Sequence, residues 1–249
     1  KPPFRTRPNG NRIALARWTY RQILVEFMAT LSTQVTFENL AVACEAHGLR
    51  ISGVSDVSNN ENLSGLKSLV LLSPDEPEFW NIFSASSEYR DQAIDPMDRW
   101  SKRSIGQLTE RHGGTAFYPF GGPPYHPFYT WALNTGRVFV SPVQFLVDHE
   151  TGLFVSFRGA IGFQHTIIDP RPLVSSPCLD CSKPCITTCP ANALDESEYD
   201  VAKCKSFLQN EPQSCPSNGC AARRACPYSD KAGRPFEHAK FHMRAFMGG

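Results

Sequence analysis

Apolar residues at helical spacing predict two helices in the first half of the chain. The first begins after Thr36, a residue type favoured at helix N-caps, and ends before Gly48, since a glycine often follows a helix. Its apolar stripe consists of Phe37, Leu40, Ala41 and Cys44. The second begins at Asp95-Pro96, because proline suits a first helical turn, and ends at Gly113-Gly114. Its buried face consists of Met97, Trp100, Ser104 and Leu108. This pattern makes Cys44 a core residue rather than a ligand or nucleophile.

Short apolar runs predict strands before and after the second helix. These runs cover residues 66–72, 138–140, 145–147 and 153–157. A turn at residues 150–152 joins the last two of them. Helices that alternate with strands predict an α+β domain over residues 36–165, in which helices flank a mixed sheet.

Composition divides the rest of the chain into three segments. Residues 1–35 are a basic N-terminal arm, residues 166–235 are a cysteine-rich module that begins with a proline-rich linker, and residues 236–249 predict a C-terminal helix. The apolar stripe of that helix consists of Phe236, Ala239, Met243 and Phe246. Such a stripe predicts that the helix packs back on the body of the protein.

The overall composition excludes several classes of protein. Of the 249 residues, 41% are hydrophobic and 20% are charged, which is typical of folded domains. The formal charge of +1, from 25 basic and 24 acidic residues, gives no reason to expect DNA as a partner. No apolar run approaches the roughly 18 residues that a membrane-spanning helix needs, so we expect no transmembrane segment.

The N-terminal arm has two interpretations. The arm contains six basic residues and a single acidic one, Glu26, and residues 18–31 have the pattern of an amphipathic helix. An arginine-rich, acid-poor start is typical of organelle transit peptides, and an ordinary basic arm is the alternative. The expected compartment is therefore the cytoplasm for a bacterial protein and the mitochondrial matrix for a eukaryotic one.

The nine cysteines carry the strongest chemical signal, because eight of them lie between residues 178 and 226. The first four follow the spacing Cys178-x2-Cys181-x3-Cys185-x3-Cys189, and Pro190 comes next. The second group consists of Cys204, Cys215, Cys220 and Cys226, and it ends in Cys226-Pro227. Sulfurs so close on a turning backbone suit metal ligation better than disulfides, and they indicate a reducing compartment.

Two iron–sulfur clusters explain this arrangement best. In two-cluster ferredoxins, three closely spaced cysteines bind one cluster and the Cys-Pro ligand binds the other. The crossed assignment predicts the sets Cys178, Cys181, Cys185, Cys226 and Cys189, Cys204, Cys215, Cys220. Eight thiolates would thus hold two [4Fe-4S] clusters with none left over. Two tetrathiolate zinc sites need the same number of cysteines and remain an alternative, as does a set of disulfides.

The cysteine module resembles the dicluster half of the epoxyqueuosine reductases, which are iron–sulfur and cobalamin enzymes. The resemblance covers residues 163–230 and lies in His165-Thr166, the two Cys-Pro motifs, residues 200–204 and Gly219-Cys220. It departs at Arg223 and Arg224, where that family has a further cysteine, so Cys215 would supply the missing ligand. The helical-repeat tail with which those enzymes bind tRNA is not found in the sequence, so tRNA is not expected as a partner.

The upstream half is similar to the cobalamin-decyanating trafficking protein. The similarity lies in residues 94–98 and 149–160, especially Gly152-Leu153-Phe154 and Phe157-Arg158-Gly159. It implies a flavin-reductase-like, nitroreductase-type α+β fold. The two resemblances together suggest a small ferredoxin family in which this domain precedes a dicluster ferredoxin-like module, with cobalamin or flavin as further cofactors.

Three other features are candidates for binding or tuning. Residues 117–129 form an aromatic, glycine- and proline-rich loop, in which His126 is a candidate cofactor ligand, although a rigid structural loop is the preferred interpretation. Arg158 follows an apolar run and would bind a carboxylate or phosphate in a pocket, or a buried acid. Arg223-Arg224 would tune a cluster, dock an acidic partner, or simply face solvent.

These observations favour an electron-transfer protein with two [4Fe-4S] clusters that serves a redox partner. The alternatives are a cobalamin- or flavin-dependent reductase supplied by the clusters, and an accessory iron–sulfur subunit of a larger respiratory complex. The sequence has no dinucleotide fingerprint, phosphate loop or catalytic triad.

Overall fold

The computed structural model describes residues 35–248, so the predicted N-terminal arm and its helix lie outside the described residues, apart from residue 35. The first half contains α1 (Phe37–Glu45), β1 (Leu49–Asp56), β2 (Ser68–Pro74), α2 (Glu78–Ser84), α3 (Ser87–Arg90), α4 (Pro96–His112), β3 (Thr115–Phe117) and α5 (Phe128–Asn134). The second half contains β4 (Phe139–Val140), β5 (Leu146–Val147), β6 (Gly159–Phe163), α6 (Pro184–Thr187), α7 (Val201–Asn210), α8 (Cys215–Asn218), α9 (Ala221–Arg224), α10 (Pro227–Lys231) and α11 (Phe236–Met247). The α+β class is therefore confirmed.

The main sheet has the strand order β1-β2-β6-β3, and β4 pairs with β5 in a separate hairpin. All neighbours in the main sheet are antiparallel, with Val70 opposite both Val54 and Ile161. The predicted mixed sheet is therefore wrong. The reason is topological, because β6 lies between β2 and β3 and runs against both of them. Strands that run in the same direction, β1 with β6 and β2 with β3, are thus not hydrogen-bonded neighbours.

The core is built around β2, which is buried along its whole length. One group of buried apolar side chains joins the sheet to α5, with Trp131 and Phe128 as its largest members. A second group is aromatic, in which Phe79 packs edge-on against Trp100 and is stacked on Phe83. Large rings of this kind dominate the apolar area that a core buries.

Both helices predicted in the first half are present, at α1 and α4. Cys44 is fully buried on α1, as predicted, and burial raises the pKa of its thiol to about 12. Gly48 has a φ of 63°, and a Cβ on it would lie 2.9 Å from the Cα of Phe79. Only glycine suits that combination of positive φ and close approach. Asp95 precedes Pro96, but its side chain makes no capping hydrogen bond.

The strand predictions hold for residues 66–72, 138–140 and 145–147, which correspond to β2, β4 and β5. The prediction for residues 153–157 is wrong, since this segment is a turn and coil, and β6 begins only at Gly159. Several of its backbone groups bond to side chains instead of a neighbouring strand. The Leu153 amide donates to the Ser229 hydroxyl oxygen at 2.8 Å, and the Phe154 carbonyl accepts from Arg234 at 2.8 Å.

The C-terminal helix α11 is anchored by aromatic contacts. Phe241 packs edge-on against Phe83 with ring centres 5.5 Å apart, and His238 stacks on Trp80 at 5.2 Å. These contacts join α11 to α2, and Phe236 of the expected stripe is 52% exposed. Residues from Phe37 onward belong to one compact unit, and the boundary between residues 165 and 166 stays a prediction.

In the part of the chain that the structure describes, no helix is long and apolar enough to cross a membrane.

Candidate metal centre

Eight cysteines of the module lie in two separate groups of four. The upstream group lines a small cavity, and its members are Cys178, Cys181, Cys185 and Cys226. The downstream group lines a second cavity, and its members are Cys189, Cys204, Cys215 and Cys220. All eight are free thiols, so none of them is joined in a disulfide. Each cavity is thus lined by one of the two predicted sets, and the binding of a cluster by each set stays a prediction.

Local structure explains why Cys189 separates from its sequence neighbours. Pro184 begins the single turn of α6, and the amide of Thr188 ends it with a 3.1 Å bond to the Pro184 carbonyl. Cys185 lies within this turn and Cys189 lies after it. The amide of Ala193 then donates to the Cys189 sulfur at 3.5 Å, which holds the thiol beside the downstream group.

Three short helices, α7, α8 and α9, position the downstream thiols. The side chain of Asp200 accepts from the Lys203 amide at 2.8 Å, so α7 starts at residue 201 and presents Cys204 from its first turn. Cys215 begins α8, and Cys220 is the residue before α9. Cys226 stands before α10, where Pro227 occupies the first helical position and needs no hydrogen-bond partner.

Burial and neighbouring thiols raise the pKa values of two upstream cysteines. The pKa of Cys185 rises to about 11, first because of burial and then because of Cys178, Cys226 and Cys181. The pKa of Cys178 rises for the same reasons, with Cys181 and Cys226 as its charged neighbours. A cation beside these two thiols would favour their ionised form.

The downstream thiols have polar neighbours that favour their ionised form. Burial raises the pKa of Cys204, while a hydrogen bond from the Tyr199 hydroxyl lowers it, and Cys189 and Cys215 raise it further. Burial also raises the pKa of Cys220, and the nearby Arg223 opposes that increase. A phenol and a guanidinium that bond to or face sulfur are the kind of groups that tune a metal centre.

The module is joined to the rest of the fold through Arg223 and the turn at Gly152. The Arg223 guanidinium lies 4.4 Å from the Phe145 ring centre and donates to the Leu153 carbonyl. Gly152 has a φ of 57°, and a Cβ on it would lie 2.9 Å from the Cys226 sulfur. The hairpin β4–β5 leads into this turn, and Val147 and Leu153 line the cavity of the upstream cysteine group.

Arg158 and His126, the two other predicted site residues, lie apart from each other. Arg158 lines a cavity beside the start of α4 and does not line either cysteine cavity. His126 is exposed and stacks on Trp131 at 5.4 Å, with Phe117 edge-on at 5.2 Å. A cofactor role for either residue stays a prediction.

A buried polar chain that the sequence analysis did not identify lies beside the module. Glu76 contacts Arg234 at 2.7 Å and His238 at 2.9 Å, and His238 contacts His242 at 3.0 Å between their Nε2 atoms. Burial lowers the pKa values of both histidines. Their four-residue spacing was a signal in the sequence, since it places both rings on one face of α11.

Among the described residues, no group of three or more histidine, cysteine, aspartate or glutamate side chains is arranged to hold a metal ion.

Comparisons with known proteins give one structural likeness. No protein-family model matches the chain, and no curated protein matches it. The crystal structure of selenomethionine-labelled epoxyqueuosine reductase aligns with a TM-score of 0.40 and 16% sequence identity. The alignment covers 89% of this chain and 71% of that chain. A likeness at this level leaves the function to be argued from the cysteine geometry.

Proposed function

We propose that this protein is a redox protein that carries two [4Fe-4S] clusters and passes electrons to a partner or to an acceptor in its upstream domain. One observation carries the proposal, namely that eight free thiols line two cavities, four to each. In this proposal residues 166–235 are a dicluster ferredoxin-like module, and residues 36–165 are a nitroreductase-like domain. Bound clusters would supply one-electron chemistry, since cubane clusters cycle between two charge states.

The donor set fits iron–sulfur clusters better than the alternatives. Disulfides would need sulfurs about 2.0 Å apart, whereas all eight cysteines are free. Tetrathiolate zinc sites usually take their ligands from paired Cys-x2-Cys knuckles, whereas the sequence has one such pair, Cys178 and Cys181. The two Cys-Pro motifs favour iron–sulfur clusters instead.

The residues around the thiols have defined tasks in this proposal. Buried side chains such as Ala222 and Leu153 exclude water from the two cavities, which affects the reduction potential. Tyr199 and Arg223 place a hydrogen bond and a positive charge beside the downstream thiols. These two groups would raise the potential of the downstream cluster, because positive charge favours the reduced, more negative form.

An absorption spectrum of anaerobically purified protein tests the proposal. We expect the broad visible absorption of iron–sulfur clusters, which loses intensity when dithionite is added. A colourless protein that contains zinc would contradict it. Replacement of Cys44, which lies outside both groups, is the matched control and should leave the spectrum unchanged.

One observation favours a reductase as a second candidate. His242 lines the cavity that contains Arg158, and it also lines a cavity that contains Cys204 and Cys220. A molecule bound near Arg158 would therefore be close to the downstream cluster. The same spectrum distinguishes the two candidates, since a cobalamin- or flavin-dependent reductase would show corrinoid or flavin bands above the iron–sulfur absorption.

A further inference from the structure

The cavity beside Arg158 has the size of a small-molecule site. Its volume is about 550 Å³, within the range of roughly 300–1,000 Å³ that ligand sites occupy. Residues 93–98 form one side of it, and Phe241, His242 and Arg244 of α11 form another. None of the eight cysteines of the module lines this cavity.

Arg158 supplies a partly buried positive charge with one unpartnered nitrogen. Its Nε atom is buried and has no hydrogen-bond partner among the described residues. Burial lowers the pKa of Arg158, and Asp98 is the acid that opposes this effect. Burial also raises the pKa of Asp98 in spite of Arg158. A buried guanidinium nitrogen without a hydrogen-bond partner is costly, and a bound anion would remove that cost.

The first turn of α4 adds a second favourable feature for an anion. The helix has 17 residues, and Pro96, Met97 and Asp98 of its first turn line the cavity. The amides of a first turn have no partners within the helix, and the helix dipole makes that end positive. Asp95 precedes the helix, and its side chain caps none of those amides.

His242 contributes a neutral hydrogen-bonding group to the same cavity. The contacts from Glu76 to His238 and from His238 to His242, at 2.9 and 3.0 Å, hold its ring in place. Burial lowers the pKa of His242 well below its ordinary value, and the nearby charges of Arg234 and Arg158 lower it further. Arg244 is exposed and adds a second guanidinium, whereas Asp95 and Asp98 are the acids among the lining residues.

We propose that this cavity binds a small organic anion, with its carboxylate or phosphate group on Arg158 and its apolar body against Met97 and Phe241. Apolar lining favours an organic anion over an inorganic one. The binding itself does not depend on the clusters. Only the further statement that the ligand lies beside the downstream cluster rests on the proposed function.

Calorimetric titration of the anaerobically purified protein with benzoate, phenyl phosphate and benzamide tests the proposal. Benzamide has nearly the shape of benzoate but no charge. We expect at least one of the two anions to bind about tenfold or more tightly than benzamide, as a charge-assisted hydrogen bond to arginine would provide. Comparison of the two anions identifies the preferred head group.

Three variants complete the test. Arg158→Gln should reduce the affinity of the preferred anion to that of benzamide, whereas Arg111→Gln, at the exposed far end of α4, should leave it unchanged. If Arg158→Gln does not fold, Arg244→Gln takes its place, with an expected loss of severalfold. Equal affinity for anion and amide, absence of binding, or full anion affinity in Arg158→Gln would overturn the proposal. Iron content measured on the same samples keeps a failure of this proposal separate from a failure of the clusters.

Discussion

Replacement of Cys189 by serine tests how the eight cysteines are divided. Cys189 is four residues from Cys185 in the sequence, yet it lines the cavity of Cys204, Cys215 and Cys220. Cys185 lines the other cavity with Cys178, Cys181 and Cys226. The turn of α6 separates the two thiols, so the variant should damage the downstream cluster and leave the upstream cluster in place.

The expected loss of iron follows from the division of the eight ligands between two clusters. Two [4Fe-4S] clusters contain about eight irons, and loss of one complete cluster leaves about four. Cys189→Ser should therefore contain about four irons per chain. Cys204→Ser should contain the same number, because both variants remove a ligand from the same set of four.

Low-temperature electron spin resonance of the reduced variants is the assay. Cys189→Ser and Cys204→Ser should give matching spectra, namely the signal of the upstream cluster. Cys178→Ser should give the complementary spectrum, that of the downstream cluster. If the spectrum of Cys189→Ser instead matches that of Cys178→Ser, Cys189 belongs with its sequence neighbours and the crossed assignment is refuted.

Three further predictions concern a core cysteine, a charged neighbour and two buried histidines. Cys44→Ala should keep all iron and lower the free energy of unfolding by about 1 kcal/mol, measured with denaturant, because it removes one fully buried sulfur; loss of iron would contradict this. Arg223→Gln should lower the reduction potential of the downstream cluster in a redox titration and leave the upstream potential unchanged, since it removes a positive charge near Cys220. An unchanged potential in both clusters would count against a tuning role. The free energy of unfolding should decrease as the pH falls below about 6.5, the ordinary histidine pKa, because the unfolded chain binds protons at His238 and His242 that the folded chain resists. A His238→Gln variant should show a shallower pH dependence, and an identical one would refute this explanation.

Periodicity predicted those parts of the fold in which local preference and burial agree. The helix α4 has proline at its start, glycine after its end and a buried face that includes Trp100, so each signal pointed to the same segment. The strand β2 is a short apolar run that is buried on both faces. Cysteine spacing likewise predicted two groups of four, because a single helical turn lies between Cys185 and Cys189.

Long-range contacts decided the features that the sequence did not predict. Residues 153–157 have the composition of a strand, yet the side chains of Ser229, Arg223 and Arg234 bond to the backbone of Leu153 and Phe154. These side chains lie about 70 to 80 residues away in the sequence. The chain from Glu76 to His238 joins residues that no local pattern relates. The position of β6 between β2 and β3, antiparallel to both, is a third such feature. The composition of a strand does not reveal whether its neighbours run parallel or antiparallel to it.

Measurement of iron, acid-labile sulfide and zinc in anaerobically purified protein tests the central proposal most directly. Two [4Fe-4S] clusters on the two groups of four thiols predict about eight irons and eight sulfides per chain, with no zinc. About two zinc ions per chain, without iron or sulfide, would contradict the account.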